Sequence, residues 1–170
     1  LPGSFETGTQ SHEGMAGTTA AVDYFAWIGK EFAGQFQKEH AFDRQRTKYV
    51  HAALDYLFEY EKLLTLYLIE GLINLKKIKI QGITQSDAMD RRLPTVSFSV
   101  DGVHPEEIAT ELGKNNIFVW SGHSYAIEVV KSLGLYENGG VIRTGPVHYN
   151  SIEEIKEFLK ILESILTTKQ

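Results

Sequence analysis

Apolar and polar positions change period along this 170-residue chain, and the change separates a helical first half from a mixed second half. Residues 1–18 are rich in Gly, Thr and Ser and read as an irregular loop leading into a helix. Residues 20–28 carry Ala, Val, Tyr, Phe and Trp on several faces, which predicts a helix buried on more than one side and stopped by Gly29. Residues 30–40, interrupted by Gly34, form a second linker or a short helix. Between Asp43 and Glu70 the apolar residues Val50, Ala53, Leu57, Tyr60, Leu64 and Leu68 recur three or four positions apart. That is the spacing of one helical face, and Gly71 is its expected end.

The period then shortens to two. Lys77, Ile78, Lys79 and Ile80 alternate as a half-buried strand does, and residues 95–100 repeat the alternation after Pro94, closed by the turn pair Asp101 and Gly102. Pro105, Glu106 and Glu107 suit the first turn of a short helix that buries Ile108 and Leu112 and stops at Gly113. Residues 116–120 read as a third strand and 141–144 as a fourth. Ser151 and Glu154 have the spacing of a capping box, and Ile155, Phe158, Leu159, Leu162 and Leu166 then line one face of a final helix. The fold class is α+β, an α/β sandwich in which long helices precede a small, mainly antiparallel sheet covered by the helices at 105–112 and 151–166. No internal repeat and no low-complexity tract interrupts it.

Composition narrows the functional classes. At 42% hydrophobic and 23% charged residues, the chain has the balance of a soluble globular protein. A formal net charge of -5 argues against a nucleic-acid surface, and the one basic cluster of the first half, Arg44, Arg46 and Lys48, reads as a solvated helix start. The absence of cysteine excludes a disulfide scaffold, a thiolate-ligated metal and a cysteine nucleophile within these residues, and no metal site is predicted. The nearly unbroken apolar run at 63–69 is far shorter than the roughly 20 residues a membrane span needs. A soluble, cytoplasmic protein is expected. The chain opens on Leu1 without an initiator methionine, and it reads as a fragment.

Two segments carry candidate chemistry, Phe5-Glu6-Thr7-Gly8-Thr9 and Val141-Ile142-Arg143-Thr144-Gly145-Pro146-Val147-His148-Tyr149-Asn150. On residue chemistry alone, Gly8 and Thr9 suit either a turn-forming loop or a phosphate contact in which Gly lets the backbone approach an anion. Arg143, inside an apolar strand, suits a rim residue, a structural salt bridge or a carboxylate-binding site. His123 suits a surface loop or a pocket wall.

With the order and spacing of these segments, the Ala16-Gly17 helix start and the Trp120-Ser121-Gly122-His123 turn, the chain resembles the C-terminal half of class V aminotransferases and cysteine desulfurase-like proteins. These are pyridoxal-phosphate enzymes of fold type I. The resemblance implies a cofactor-edge loop and connecting helix over 1–42, and a C-terminal small domain over 43–170. It implies that Gly8 and Thr9 reach the cofactor phosphate of the neighbouring subunit in a homodimer. It also implies that Arg143 binds the α-carboxylate of an amino-acid substrate, with His123 and Tyr125 facing the same pocket.

The departures from the family pattern matter equally. Where cysteine desulfurases carry Arg-x-Gly-x-x-Cys, this chain has Trp120-Ser121-Gly122-His123-Ser124-Tyr125, so sulfur cannot be accepted there as a thiolate does it. The lysine that forms the Schiff base, the aspartate partner of the pyridine nitrogen and the phosphate-binding helix are not matched by any residue here. No catalytic residue is therefore assigned within the chain, which is expected to be inactive alone and to bind no pyridoxal phosphate by itself. A non-catalytic dimerisation or interaction module derived from that fold, or an unrelated α/β binding domain, are the competing readings.

Overall fold

The computed structural model describes residues 2–4 and 8–168, and these form two compact units, the first ending at Glu59 and the second beginning at Tyr60. The Phe5-Glu6-Thr7 part of the first candidate segment lies outside the described residues.

In the first unit, helix α1 (His12–Glu31) begins eight residues before the predicted start at Ala20. The cause is a cap: the Ser11 hydroxyl accepts the Gly14 amide at 3.1 Å, and Glu13 adds a carboxylate to the first turn. That cap carries the helix through Gly14 and Gly17 despite their low propensity. The expectation of burial on several sides is wrong for this unit, where only Ile28 and Gly29 of α1 are buried and Trp27 is 52% exposed. Gly29 also does not stop the helix. It has a packing task instead, because a Cβ there would lie 1.7 Å from the backbone oxygen of Tyr49. Tyr49 belongs to α2 (Gln45–Asn74), whose first half presents Ala53 and Leu57 to Ile28, with Phe25 and Tyr56 at the edge of this small core. Between the helices, the Gln37 amide donates to the Gly29 carbonyl at 2.8 Å and satisfies an end of α1 that would otherwise lack a partner.

The second unit holds the sheet. Strands β1 (Ile78–Gln81), β2 (Val96–Val100), β3 (Trp120–Gly122) and β4 (Val141–Thr144) lie in the order β1-β2-β4-β3, and every neighbouring pair is antiparallel. Alternation gives one covered face, with Val96, Phe98, Val100 and Ile142 buried. Covering it are Leu64, Leu68 and Leu72 of α2, Ile108 and Leu112 of α3 (Pro105–Lys114), and Ile155, Phe158, Leu162 and Leu166 of α5 (Ile152–Thr168). The predicted capping box forms reciprocally: the Ser151 amide donates to Glu154 Oε2 at 2.7 Å and the Glu154 amide to Ser151 Oγ at 3.2 Å.

Three boundaries differ from the sequence reading. Helix α2 continues past Gly71 to Asn74, because that glycine is needed for close packing: a Cβ there would sit 2.2 Å from Leu159 Cδ1. Helix α3 passes Gly113 and ends at Lys114, where Asn116 takes a left-handed φ of 59° and the Ile117 amide donates back to the Leu112 carbonyl. The third strand consequently starts at Trp120 rather than Asn116: Ile117 and Val119 pack on the core from a loop, and pairing with β4 begins at Trp120. A short helix α4 (Ile127–Ser132) and a 3₁₀ turn at Ser86–Arg91 were not predicted; both are too short for hydrophobic periodicity to register.

Candidate functional site

Arg143 is placed by β4. Ile142 points into the core, so the next residue points to the opposite face, and the register sets Arg143 between Ser97 of β2 and Trp120 of β3. Its side chain is exposed and makes no ion pair or side-chain hydrogen bond among the described residues. The contrast is Arg92, whose guanidinium donates to the backbone carbonyls of Thr95 at 2.8 Å, Leu93 at 3.2 Å and Ile83. Burial pushes the pKa of Arg92 below its usual value, as expected for a cation held against a folded loop. Arg92 therefore ties down the segment between β1 and β2. Arg143 has no comparable structural duty.

The loop after β3 carries the other two predicted side chains. Gly122 leaves the strand at φ 113°, and two successive non-glycine residues, Ser124 at 48° and Tyr125 at 60°, lie in the left-handed region. Each such residue costs on the order of 1–3 kcal/mol and is found where surrounding contacts enforce it. Here the contacts are visible. His123 Nδ1 accepts the Tyr125 amide at 3.1 Å, and its carbonyl accepts the Ala126 amide at 2.7 Å. With Nδ1 used as an acceptor, the neutral imidazole carries its proton on Nε2. The His123 ring stacks on Tyr136 at 6.3 Å between centroids and meets Tyr125 edge-on at the same separation. Tyr125 itself is 93% exposed. The Ser124 hydroxyl is buried with no hydrogen-bond partner.

Gly140 ties this loop to the start of β4, and Gly139 packs on His104 at the N-cap of α3. A Cβ on Gly140 would fall 2.4 Å from the Gly122 oxygen, and one on Gly139 would fall 2.1 Å from His104 Nε2. Gly139 and Gly140 both have positive φ, 84° and 94° respectively. The close approach of Gly140 to Gly122 lets Gly122 pair with Val141.

Arg143 thus lies on the interior strand β4, and His123 and Tyr125 lie on the loop that leaves its neighbour β3. Gly8 and Thr9 belong to the other unit. Both are exposed, a Cβ on Gly8 would meet nothing within 4 Å, and the Thr9 hydroxyl has no partner among the described residues. A cavity of about 410 Å³ lies between the α3–β3 loop and the start of α5, and a groove of about 650 Å³ runs beside Lys79, Val103 and Leu135. Neither is lined by Arg143, His123 or Tyr125. Sequence reasoning missed the Arg92 clamp, which has no local motif, and the close packing of Gly139 and Gly140, for which adjacent glycines before a strand were the available signal.

Comparison with known proteins bears on the family and the fold. The family model described as aminotransferase class-V matches residues 47–158. An aminotransferase-like protein of Gibberella zeae is 34% identical over 114 residues, covering 66% of this chain and 28% of the relative. A probable cysteine desulfurase of Pyrococcus abyssi is 30% identical over 165 residues, covering 97% of this chain and 33% of the relative. Among solved structures, the apo cysteine desulfurase of Thermococcus onnurineus aligns with a TM-score of 0.60 at 29% identity, over 73% of this chain and 31% of that one. The chain spans about a third of the length of the curated relatives it matches.

Proposed function

Because this chain belongs to the aminotransferase class-V family, we propose that it is the part of a pyridoxal-phosphate enzyme that recognises an amino-acid substrate by its carboxylate. In this reading residues 43–170 are the small domain that carries Arg143, and residues 1–42 are a cofactor-edge loop and connecting helix. Gly8 and Thr9 reach the cofactor phosphate of a partner subunit in a cytoplasmic homodimer. The observation that carries the reading is the state of Arg143: a guanidinium held by a sheet, exposed and without an internal partner among the described residues, on the strand paired with β3, whose outgoing loop is kept in a strained conformation. A planar fork of donors on a rigid strand is suited to a carboxylate, which it binds through two parallel charge-assisted bonds.

The residues present fit an edge of the cofactor site. A dianionic phosphate takes fixed donors, and Thr9 offers a hydroxyl not used elsewhere among the described residues, next to a glycine whose surroundings are open. Pyridoxal phosphate, when bound, supplies the electron sink for chemistry at the amino acid's α-carbon. This chain's own contribution is binding and orientation. Arg143 fixes the carboxylate, His123 presents Nε2–H from a ring locked by its Nδ1 acceptor bond, and Tyr125 lines the approach. No cysteine is available to accept sulfur, and no lysine here stands in the family's Ser-x-His-Lys context, so the chain alone has no transaminase or desulfurase turnover.

The second reading, a non-catalytic interaction module derived from the fold, is favoured by Trp120 and Tyr125 standing where desulfurases carry Arg and Cys. Binding of an amino acid compared with its decarboxylated amine by the complete protein separates the two. A preference of at least about thirty-fold for the amino acid follows from a desolvated charge pair of about 2 kcal/mol or more. Equal binding of the two compounds, or none, would favour the module.

A further inference from the structure

The connection between α1 and α2 gathers four residues that the proposed function does not use. His40 and Asp43 lie in the connection, while His51 and Asp55 sit one turn apart on the same face of α2. Asp43 Oδ2 lies 2.8 Å from His51 Nδ1 and 3.6 Å from His40 Nδ1. On the far side of the His40 ring, Nε2 lies 2.6 Å from Asp55 Oδ2. One ligand atom from each of His40, Asp43 and His51 falls within 4.8 Å of the others, and the two rings are 5.2 Å apart between centroids.

The hydrogen-bond roles make this cluster more than a set of neighbours. A carboxylate only accepts, so the 2.6 Å contact with Asp55 places a proton on His40 Nε2. In the neutral ring the Nδ1 lone pair then points toward Asp43 Oδ2. The same oxygen accepts a hydrogen bond from His51 Nδ1–H at 2.8 Å, and loss of that proton to a metal ion would leave three lone pairs facing one centre. A divalent ion that displaces this proton would sit among three converging lone-pair donors. A carboxylate behind a histidine, holding the nitrogen remote from the shared centre, is the arrangement that orients metal-binding imidazoles and raises their basicity. The spacing also fits. Tetrahedral ligands at Zn–N and Zn–O lengths of about 2.1 Å stand roughly 3.4 Å apart, between the two measured separations, and His51 is exposed enough to adjust.

We propose that His40 Nδ1, Asp43 Oδ2 and His51 Nδ1 form a binding site for a divalent first-row transition-metal ion, with Asp55 orienting His40 and water completing the coordination. Two imidazoles and one carboxylate suit Zn²⁺, Co²⁺ or Fe²⁺ rather than Ca²⁺ or Mg²⁺, which prefer all-oxygen sites. The ion would staple the start of α2 to the connection that precedes it.

The test is a Co²⁺ titration of the 170-residue chain, followed by its visible absorption, with Zn²⁺ competition. One Co²⁺ per chain is expected, with the intense bands of a four- or five-coordinate ion and full displacement by Zn²⁺. His51→Ala and Asp43→Asn should each weaken binding at least thirty-fold, and Asp55→Asn about ten- to a hundred-fold. His51→Gln keeps the side chain's bulk and polarity, and circular dichroism of each variant verifies the fold. His12→Ala, at an exposed histidine outside the cluster, should leave the affinity unchanged. Three results would overturn the site: no saturable binding below 1 mM, a spectrum of the hexa-aqua ion, or binding that survives His51→Ala and His51→Gln. The first would show that hydrogen bonds alone hold the cluster together.

Discussion

Arg143 of β4 stands directly opposite Trp120 of β3, in a cross-sheet row completed by Ser97 of β2 and Gln81 of β1. All four project from the face of the sheet opposite Phe98 and Ile142, and Arg143 is the one ionised member. Directly opposed residues lie about 5 Å apart, so a second guanidinium at position 120 would crowd the first. Trp120, 58% exposed, offers an apolar surface instead.

Trp120 should therefore report on the site. Amino-acid binding to the complete protein is expected to change tryptophan emission, and the change should disappear in Trp120→Phe while affinity shifts by less than tenfold. A change that persists in Trp120→Phe would place the amino acid away from this row.

Close glycine contacts give a sharper test of the fold. Gly29→Ala would press a methyl group onto the Tyr49 backbone, which cannot swing aside, whereas Gly71→Ala meets the tip of the flexible Leu159 side chain. Overpacking costs about 1–3 kcal/mol, and Gly29→Ala should lie at or above the upper end. Gly71→Ala should lie at the lower end and couple with Leu159→Ala by at least about 0.5 kcal/mol in a denaturant double-mutant cycle. Additive effects at 71 and 159 would contradict the packing described.

The Arg92 clamp should tolerate no replacement, not even lysine. Arg92→Lys keeps the charge but loses the planar fork that serves three carbonyls, and about 1–3 kcal/mol of stability should go with it. The pH dependence follows from the lowered pKa. A base whose folded pKa lies below its unfolded value is least favourable to folding while charged in both states, and stability rises only as pH passes between the two values. For a guanidinium that window is strongly alkaline, so the loss in Arg92→Lys should be the same at pH 6 and pH 8.

Strain in the 122–125 loop is measurable too. Asn adopts the left-handed region more readily than Tyr, and Tyr125 is exposed, so Tyr125→Asn should stabilise the chain by up to about 1 kcal/mol. In the complete protein the same change should weaken amino-acid binding, since Tyr125 is proposed to line the approach. A destabilised Tyr125→Asn would mean that the ring's contact with His123 outweighs the strain.

Most of the second unit was legible because its signals are local. Alternation marked β1 and β2, the four residues of β4 were placed by a short apolar run before Thr144, and Ser151 with Glu154 announced α5. Errors came from glycines. Gly29, Gly71 and Gly113 all read as helix stops, yet the first two are contact points between elements distant in sequence. A single chain does not reveal whether a glycine serves φ or closeness. In the first unit the apolar faces of residues 20–28 likewise predicted burial, and the exposed Tyr24 and Trp27 show that its described residues do not provide the covering surface. Arg143 was legible as a candidate from its strand, but its lack of an internal partner needed the positions of Ser97 and Trp120.

The most direct measurement of the central claim is amino-acid affinity of the complete protein carrying Arg143→Ala, with cofactor absorbance recorded in the same titration. The account predicts a loss of about thirty-fold to several thousand-fold in affinity, corresponding to about 2–5 kcal/mol, with cofactor absorbance nearly unchanged and partial recovery in Arg143→Lys. Thr9→Ala should do the reverse, loosening the cofactor more than the substrate. Unchanged amino-acid affinity in Arg143→Ala, or loss of the cofactor in its place, would contradict carboxylate recognition by this strand.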